Sequence, residues 1–209
     1  MDLRKRRLTG AMVDIVQAIG EDALFVVRLE VMPFAALLPA LTSGKVDMIA
    51  AAMLRTKARE QIVDFTEPIL SYGGGVVSTH ADSRQYRDIA DLKGSRVGVQ
   101  MGTRFGIQAE QAGASVVRYY DSLPDALHDL HAGRIDTVYG DAPILAYQIA
   151  HIPASGLRFA AEFHPPSVED VCLVVRKGDA TLLGEVNASL DRLRRSRLPA
   201  ILRAWGLQA

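Results

Sequence analysis

Apolar positions along this chain recur at two alternating spacings. A helical period over residues 11–19 is followed by a strand-like run at 25–31, a second helical stretch at 37–42 and a second strand at 46–51. The rhythm resumes after Leu92 with strand 96–100, helix 104–112, strand 115–119, helix 123–131, strand 135–139 and helix 142–150. Strands that alternate with amphipathic helices form βα units on a parallel sheet, so an α/β protein with two such units is expected. A strand at 170–176 and amphipathic helices at 180–194 and 198–205 close the chain, their arginines lying toward the C-terminal ends where the helix dipole favours cations.

An internal echo connects the two units. Leu41-x-x-Gly44-Lys45-Val46-Asp47 returns 89 residues later as Leu130-x-x-Gly133-Arg134-Ile135-Asp136. Both copies read helix, glycine stop, basic residue, strand; glycine supplies the left-handed residue that ends a helix, a device any αβ junction can use. Between the units, Tyr72-Gly73-Gly74-Gly75-Val76-Val77-Ser78-Thr79 reads as a flexible crossing into a short β segment, and Pro165-Pro166 marks the return. The expected division is residues 1–78 with 169–209 in one lobe and 79–168 in the other.

Composition narrows the function classes. Lysines and arginines number 24 and acids number 24, so there is no net field to gather nucleic acid or an anionic membrane. No run approaches about 18 uninterrupted apolar residues, the length of a membrane span. The basic start Arg4-Lys5-Arg6-Arg7 precedes an amphipathic stretch carrying Asp14 and Gln17, which reads as a solvated loop before a helix and not as a signal peptide. The lone Cys172 stands in the apolar run Val171-Cys172-Leu173-Val174-Val175 and is expected to be buried and inert. His128 and His131 share a helix face without a third ligand, so no metal or cofactor is expected.

Ligands of open α/β sheets bind beyond the carboxyl ends of the strands, where helix N-termini present N–H groups. Three such junctions carry polar chemistry. After strand 46–51, Thr56 can cap a short helix with Arg59 in its first turn; the guanidinium can grip a carboxylate or pair with Glu60 or Asp64 on the surface. After strand 96–100, in Met101-Gly102-Thr103-Arg104, Thr103 offers a hydroxyl and an N–H to a carboxylate or caps its own helix. After strand 135–139, Asp141 ahead of Pro143 can cap the next helix or hold an ammonium. One cation, one hydroxyl and one anion complement a zwitterion, and shifting Ala52 by the 89-residue offset lands on Asp141, which puts these loops on equivalent rims.

In order and spacing, Phe34-x-x-Leu37-Leu38-Pro39-Ala40-Leu41-x-x-Gly44-Lys45-Val46-Asp47, Thr56-x-x-Arg59-x-x-x-x-Asp64-Phe65-Thr66-Glu67-Pro68, Asp91-Leu92-Lys93-Gly94-x-x-Val97-Gly98-Val99-Gln100-x-Gly102-Thr103, Gly133-Arg134-Ile135-Asp136, Asp141-Ala142-Pro143 and Ala204-Trp205-Gly206 together resemble family 3 of the bacterial extracellular solute-binding proteins, the polar amino-acid-binding components of ABC transporters. The resemblance covers nearly the whole chain. It implies a two-lobed periplasmic-binding-protein-like fold of type II with a hinged central cleft, closing as a Venus flytrap on a small amino-acid-like ligand. It implies that Arg59 clamps the α-carboxylate, Thr103 adds a hydroxyl and N–H, Asp141 accepts the α-ammonium, and Phe34 forms an apolar wall, with Ala52, Leu54 and Met101 also lining the site. A membrane permease is the implied partner, a periplasmic or extracytoplasmic site the implied location, and a monomer without cofactor the implied state.

Departures from the family pattern are local. The first strand and an aromatic-bearing loop before Leu8-Thr9-Gly10 are not in the sequence, nor is a signal peptide. Leu54 stands where relatives often carry Ser or Thr. Ala11-Met12 and Val171-Cys172 replace aromatic-containing pairs at the hinge and rim. The same fold resembles cyclohexadienyl and arogenate dehydratases, for which Glu169 and His164 are the available proton donors, and ligand-sensing domains of signalling systems.

Overall fold

In the computed structural model, which describes residues 8–152 and 156–207, the elements follow in chain order as α1 (Ala11–Ala23), α2 (Phe34–Thr42), β1 (Met48–Leu54), α3 (Lys57–Glu60), β2 (Val63–Phe65), β3 (Leu70–Thr79), β4 (Arg96–Gln100), α4 (Phe105–Gln111), β5 (Val116–Tyr120), α5 (Leu123–His131), β6 (Thr137–Asp141), α6 (Ala142–Ala150), β7 (Leu157–Phe159), β8 (Val168–Arg176), α7 (Ala180–Arg194) and α8 (Leu198–Ala204). A short 3-10 turn at Ile89–Leu92 precedes β4. The basic run Arg4–Arg7 lies outside the described residues.

Two compact units divide the chain. The first gathers Met1–Met32, Ala36–Ser71 and Glu169–Ala209; the second gathers Pro33–Ala35 and Tyr72–Val168. The chain therefore passes from one to the other inside β3, at Ser71–Tyr72, and returns inside β8, at Val168–Glu169.

The first unit builds its core on β8, whose residues Val171–Val175 are fully buried. β1 and β2 both pair with β8 antiparallel, so the strand pairs of this unit among the described residues lack the parallel arrangement expected of a βα unit. The cause is that the returning strand, and not a crossover helix, supplies the partner. Helix α1 packs on β1, and α7 and α8 pack on α1 and on each other, with Ile15, Ile19, Val186, Leu190 and Leu202 buried. Ion pairs fasten them at the rim, Arg192 to Asp22 and Arg197 to Glu21, each at 2.6 Å, and the Trp205 indole donates to Asp14 at 2.8 Å.

The expected strand at residues 25–31 does not form. Its composition suits a strand, but a strand exists only through a hydrogen-bonded neighbour, and none stands beside it among the described residues.

The second unit carries the parallel pairs. β4 pairs in parallel with both β5 and β6, while β3 runs antiparallel to β6 and β7. Val77, Leu127, Leu130, Val138 and Leu145 form its core with α5 and α6 packed on the sheet. The glycine run expected to be a flexible crossing is instead the buried middle of β3. Its glycines are required by close packing: a Cβ on Gly74 would enter the Tyr139 ring, and one on Gly75 would stand 2.9 Å from the Cα of Ala142.

The echo is structural. Gly44 and Gly133 both adopt left-handed conformations, with φ of 78° and 70°. Lys45 donates its N–H to Ala40 and Arg134 donates its N–H to Asp129, both at 2.9 Å and both one turn back. Asp47 then receives Arg176 from β8, and Asp136 receives Arg96 from β4.

Candidate ligand-binding site

In the first unit, β1 ends at Leu54 and the chain turns into the single-turn helix α3. Thr56 caps it as its sequence predicts, its Oγ1 accepting from the Arg59 N–H at 3.3 Å. This sets Arg59 in the first turn, and its Nη1 donates to the Leu54 carbonyl at 2.8 Å. The Leu54 side chain itself is buried, so the position contributes its carbonyl to the site's architecture. Glu60 and Asp64, the alternative partners for Arg59, are engaged elsewhere: Glu60 lies 3.9 Å from Arg55, and Asp64 accepts from Lys177 at 2.7 Å. The Lys177 hydrogen bond and the Gly178 N–H hold Asp64 below the ordinary carboxylate range.

Ala52, on the same strand, has φ of 51°, a left-handed conformation unusual for a residue with a Cβ. The β1–β8 register shifts between Ile49 and Met53, so Ala52 sits in a bulge. Strain of about 1–2 kcal/mol at a non-glycine residue persists only where the surroundings impose it, and such places cluster at functional sites.

In the second unit, β4 leads into the turn Met101–Arg104. The Thr103 hydroxyl donates to the Gln100 carbonyl at 2.7 Å, and its N–H reaches the same oxygen at 3.3 Å. Thr103 does not cap α4; the cap position belongs to Arg104. Gly102, at φ of 81°, lies so close to Ala35 that a Cβ would stand 2.9 Å from that residue's Cα. This approach brings the exposed Met101 and the turn to the start of α2, where Phe34 is half-buried.

Asp141 closes β6 and occupies the cap position of α6, yet its side chain makes no capping hydrogen bond. It is only 7% exposed. An ionised carboxylate so deeply placed requires cations or donors around it. Two neighbours escaped the sequence reading. Tyr72 places its buried hydroxyl beside Asp141, and burial first, then that carboxylate's charge, pushes the phenol far above its ordinary value. Arg104 is partly buried, and burial lowers its hold on its proton while Tyr139 and Asp141 act in the opposite sense. Its Nη1 donates to Ser167 at 3.0 Å, and its guanidinium lies 5.7 Å from the Phe105 ring. Tyr139 donates to Gln108 at 2.9 Å, and its phenol is pushed up to about 12, chiefly by burial. Tyr72 joins this group because Gly74 pairs with Asp141 across the β3–β6 ladder, which sets Tyr72 two residues along the same face. Only that cross-strand register would have revealed it.

His164 is exposed on a coil of the second unit, while Glu169 stands on β8 in the first. His128 and His131 have no third metal-binding partner among the described residues. Cys172 is fully buried, and burial raises its thiol to about 11, the inert state expected of it.

With the fold and these groups in place, the class follows. The chain belongs to the bacterial extracellular solute-binding proteins, family 3, whose profile matches residues 1–208. It is 35% identical over 199 residues to an L-arginine-binding protein of Pseudomonas aeruginosa, a match covering 90% of this chain and 75% of that one. It is 28% identical over 190 residues to the ABC transporter arginine-binding protein 1 of Escherichia coli strain K12, covering 90% and 76%. An ancestral arginine-binding protein superposes with a TM-score of 0.89 when bound to glutamine, at 29% identity and covering 95% of this chain and 88% of that one. The same protein bound to arginine gives 0.88 at 29% identity, covering 96% and 89%. These relatives are binding proteins, so the dehydratase reading is not favoured. No described helix is long and apolar enough to cross a membrane.

Proposed function

We propose that this chain is the solute-binding component of an ABC transporter and that its ligand is a small α-amino acid. Arg59 receives the α-carboxylate through paired hydrogen bonds, and Asp141 accepts the α-ammonium. Thr103 joins the carboxylate side once its hydroxyl turns from the Gln100 carbonyl. Phe34, Met101, Ala52 and Leu54 line the remainder of the site. The lobes close on the ligand, and a permease in the membrane receives the loaded protein outside the cytoplasm.

The observation that carries this reading is the state of Asp141. It is a nearly buried carboxylate at the end of a strand, positioned as a helix cap but not spent on capping. Arg59, in the turn that follows β1, supports it, its Nη1 held on the Leu54 carbonyl. Arginine and glutamine are the first ligands to try, since the ancestral relative is described with each bound.

The test is a thermal-shift screen against the common amino acids followed by calorimetric titration. A true ligand at about 100 times its dissociation constant adds about 2.7 kcal/mol of stability. Binding of an α-amino acid that is lost with the corresponding α-keto acid is expected. Indifference to every amino acid would overturn the proposal.

A further inference from the structure

Gly74 pairs directly with Asp141 across the β3–β6 ladder, so no side chain of β3 stands opposite the carboxylate. A Cβ at Gly74 would enter the Tyr139 ring, which closes that place to every other residue type. The diagonal neighbour on the same face is Tyr72, two residues earlier on β3, at a separation that an aromatic side chain spans. The strand is wedged at this point, since a Cβ at Gly73 would collide with the Pro165 ring and the Ser167 carbonyl oxygen. The Tyr72 hydroxyl is shut away from water and faces the Asp141 carboxylate as a hydrogen-bond donor. Arg104 and Tyr139 act on Asp141 through charge, but the Tyr139 hydroxyl goes to Gln108; Tyr72 meets the carboxylate with a hydroxyl. All these residues belong to the second unit.

We propose that Tyr72 is a positioning residue for ligand recognition: its hydroxyl takes one lone pair of Asp141, fixes the plane of the carboxylate and leaves the other oxygen to the ligand's α-ammonium. This deepens the proposed function and rests on it. A carboxylate that is 7% exposed stays ionised only among donors. A cation in the place of Tyr72 would supply a donor but compete with the ligand's ammonium for the same charge. A phenol supports the carboxylate without opposing the ligand, and burial keeps this phenol protonated at neutral pH, so it remains a donor.

Tyr72→Phe on the full chain removes the hydroxyl and keeps the ring, so the variant should fold. Carbon NMR of the Asp141 side-chain carboxyl reads the contact without any ligand: its titration should move to higher pH in the variant, because losing a donor disfavours the charged form. Calorimetry with the amino acid found in the screen, from about pH 5 to 7, reads the consequence over a span in which both ends of an amino acid keep their charges. Affinity should fall about three- to tenfold at neutral pH and further toward acid. A ring that merely packs would lower it equally at every pH. An unmoved carboxyl, or a uniform loss of affinity, overturns the role of Tyr72 and leaves the amino-acid reading standing. A moved carboxyl in a chain that binds no amino acid overturns that reading and this role with it. Should the variant fold poorly, the unaltered chain decides: a Tyr72 hydroxyl proton slow enough in exchange to give its own resonance supports the contact, and its loss to solvent exchange overturns it.

Discussion

Arg59 donates from Nη1 to the carbonyl of Leu54, 2.8 Å away, which ties its guanidinium to the end of β1. If the guanidinium receives a ligand carboxylate, Arg59→Ala should weaken binding by about 3–5 kcal/mol, roughly two to four decades in dissociation constant. Arg59→Lys should recover only part of it, since an ammonium cannot form the paired bonds. Calorimetric titration of both variants with the ligand found in the screen reads the difference.

Asp141→Asn separates recognition from folding. The amide keeps the shape of the side chain and an oxygen that can accept from the Tyr72 hydroxyl, so the melting temperature should change little, while the loss of negative charge should weaken binding about tenfold to hundredfold. A large fall in melting temperature with unaltered affinity would instead make Asp141 a structural residue.

Gly75→Ala should destabilise the second unit. The new Cβ would press on the Phe159 ring and on the backbone of Ala142, and the backbone cannot step aside. A cost of about 1–3 kcal/mol is expected in a urea titration. Ligand affinity should fall as well, because Ala142 opens the helix that follows Asp141.

Leu24→Gly should stabilise the first unit. Leu24 ends α1 in a left-handed conformation, φ 59°, with its side chain 89% exposed. Glycine removes about 1–2 kcal/mol of strain and gives back about 0.5–1 kcal/mol in chain entropy, leaving a net gain of about 0.5–1 kcal/mol. Thermal unfolding should show a rise of about 1–3 °C.

Acid should loosen both units through paired aspartates. The Arg96 hydrogen bond holds Asp136 below the ordinary carboxylate value, and Lys177 does the same for Asp64. A carboxyl depressed in the folded state contributes stability above its unfolded value, near 3.8, and loses it as pH falls through the lower folded value. Asp136→Asn should therefore be less stable than the native chain at neutral pH, with the gap closing as pH falls below that value. Parallel melts across the acid range would show whether it closes.

Elements whose ends are punctuated in sequence were the legible ones. α5 and α6 run over the residues the periodicity indicates, because Ser122, Gly133 and Pro143 mark their limits; β4 and α7 do likewise. β2 and β7 were not read, since three residues carry no measurable period. Residues 25–31 were misread because periodicity reports what a segment would do beside a partner, and among the described residues none pairs with it. At the site, Arg59, Thr103 and Asp141 were visible as polar residues at strand ends. Tyr72 and Arg104 were not, since their place beside Asp141 follows from the β3–β6 ladder and from the burial of a turn.

The sealed thiol of Cys172 also makes the chain convenient for spectroscopy. With its sulfhydryl held protonated at neutral pH and out of reach of reagents, any cysteine introduced on the surface would be the sole site for a maleimide dye. A dye attached to each unit in turn would report ligand arrival without first removing the native residue.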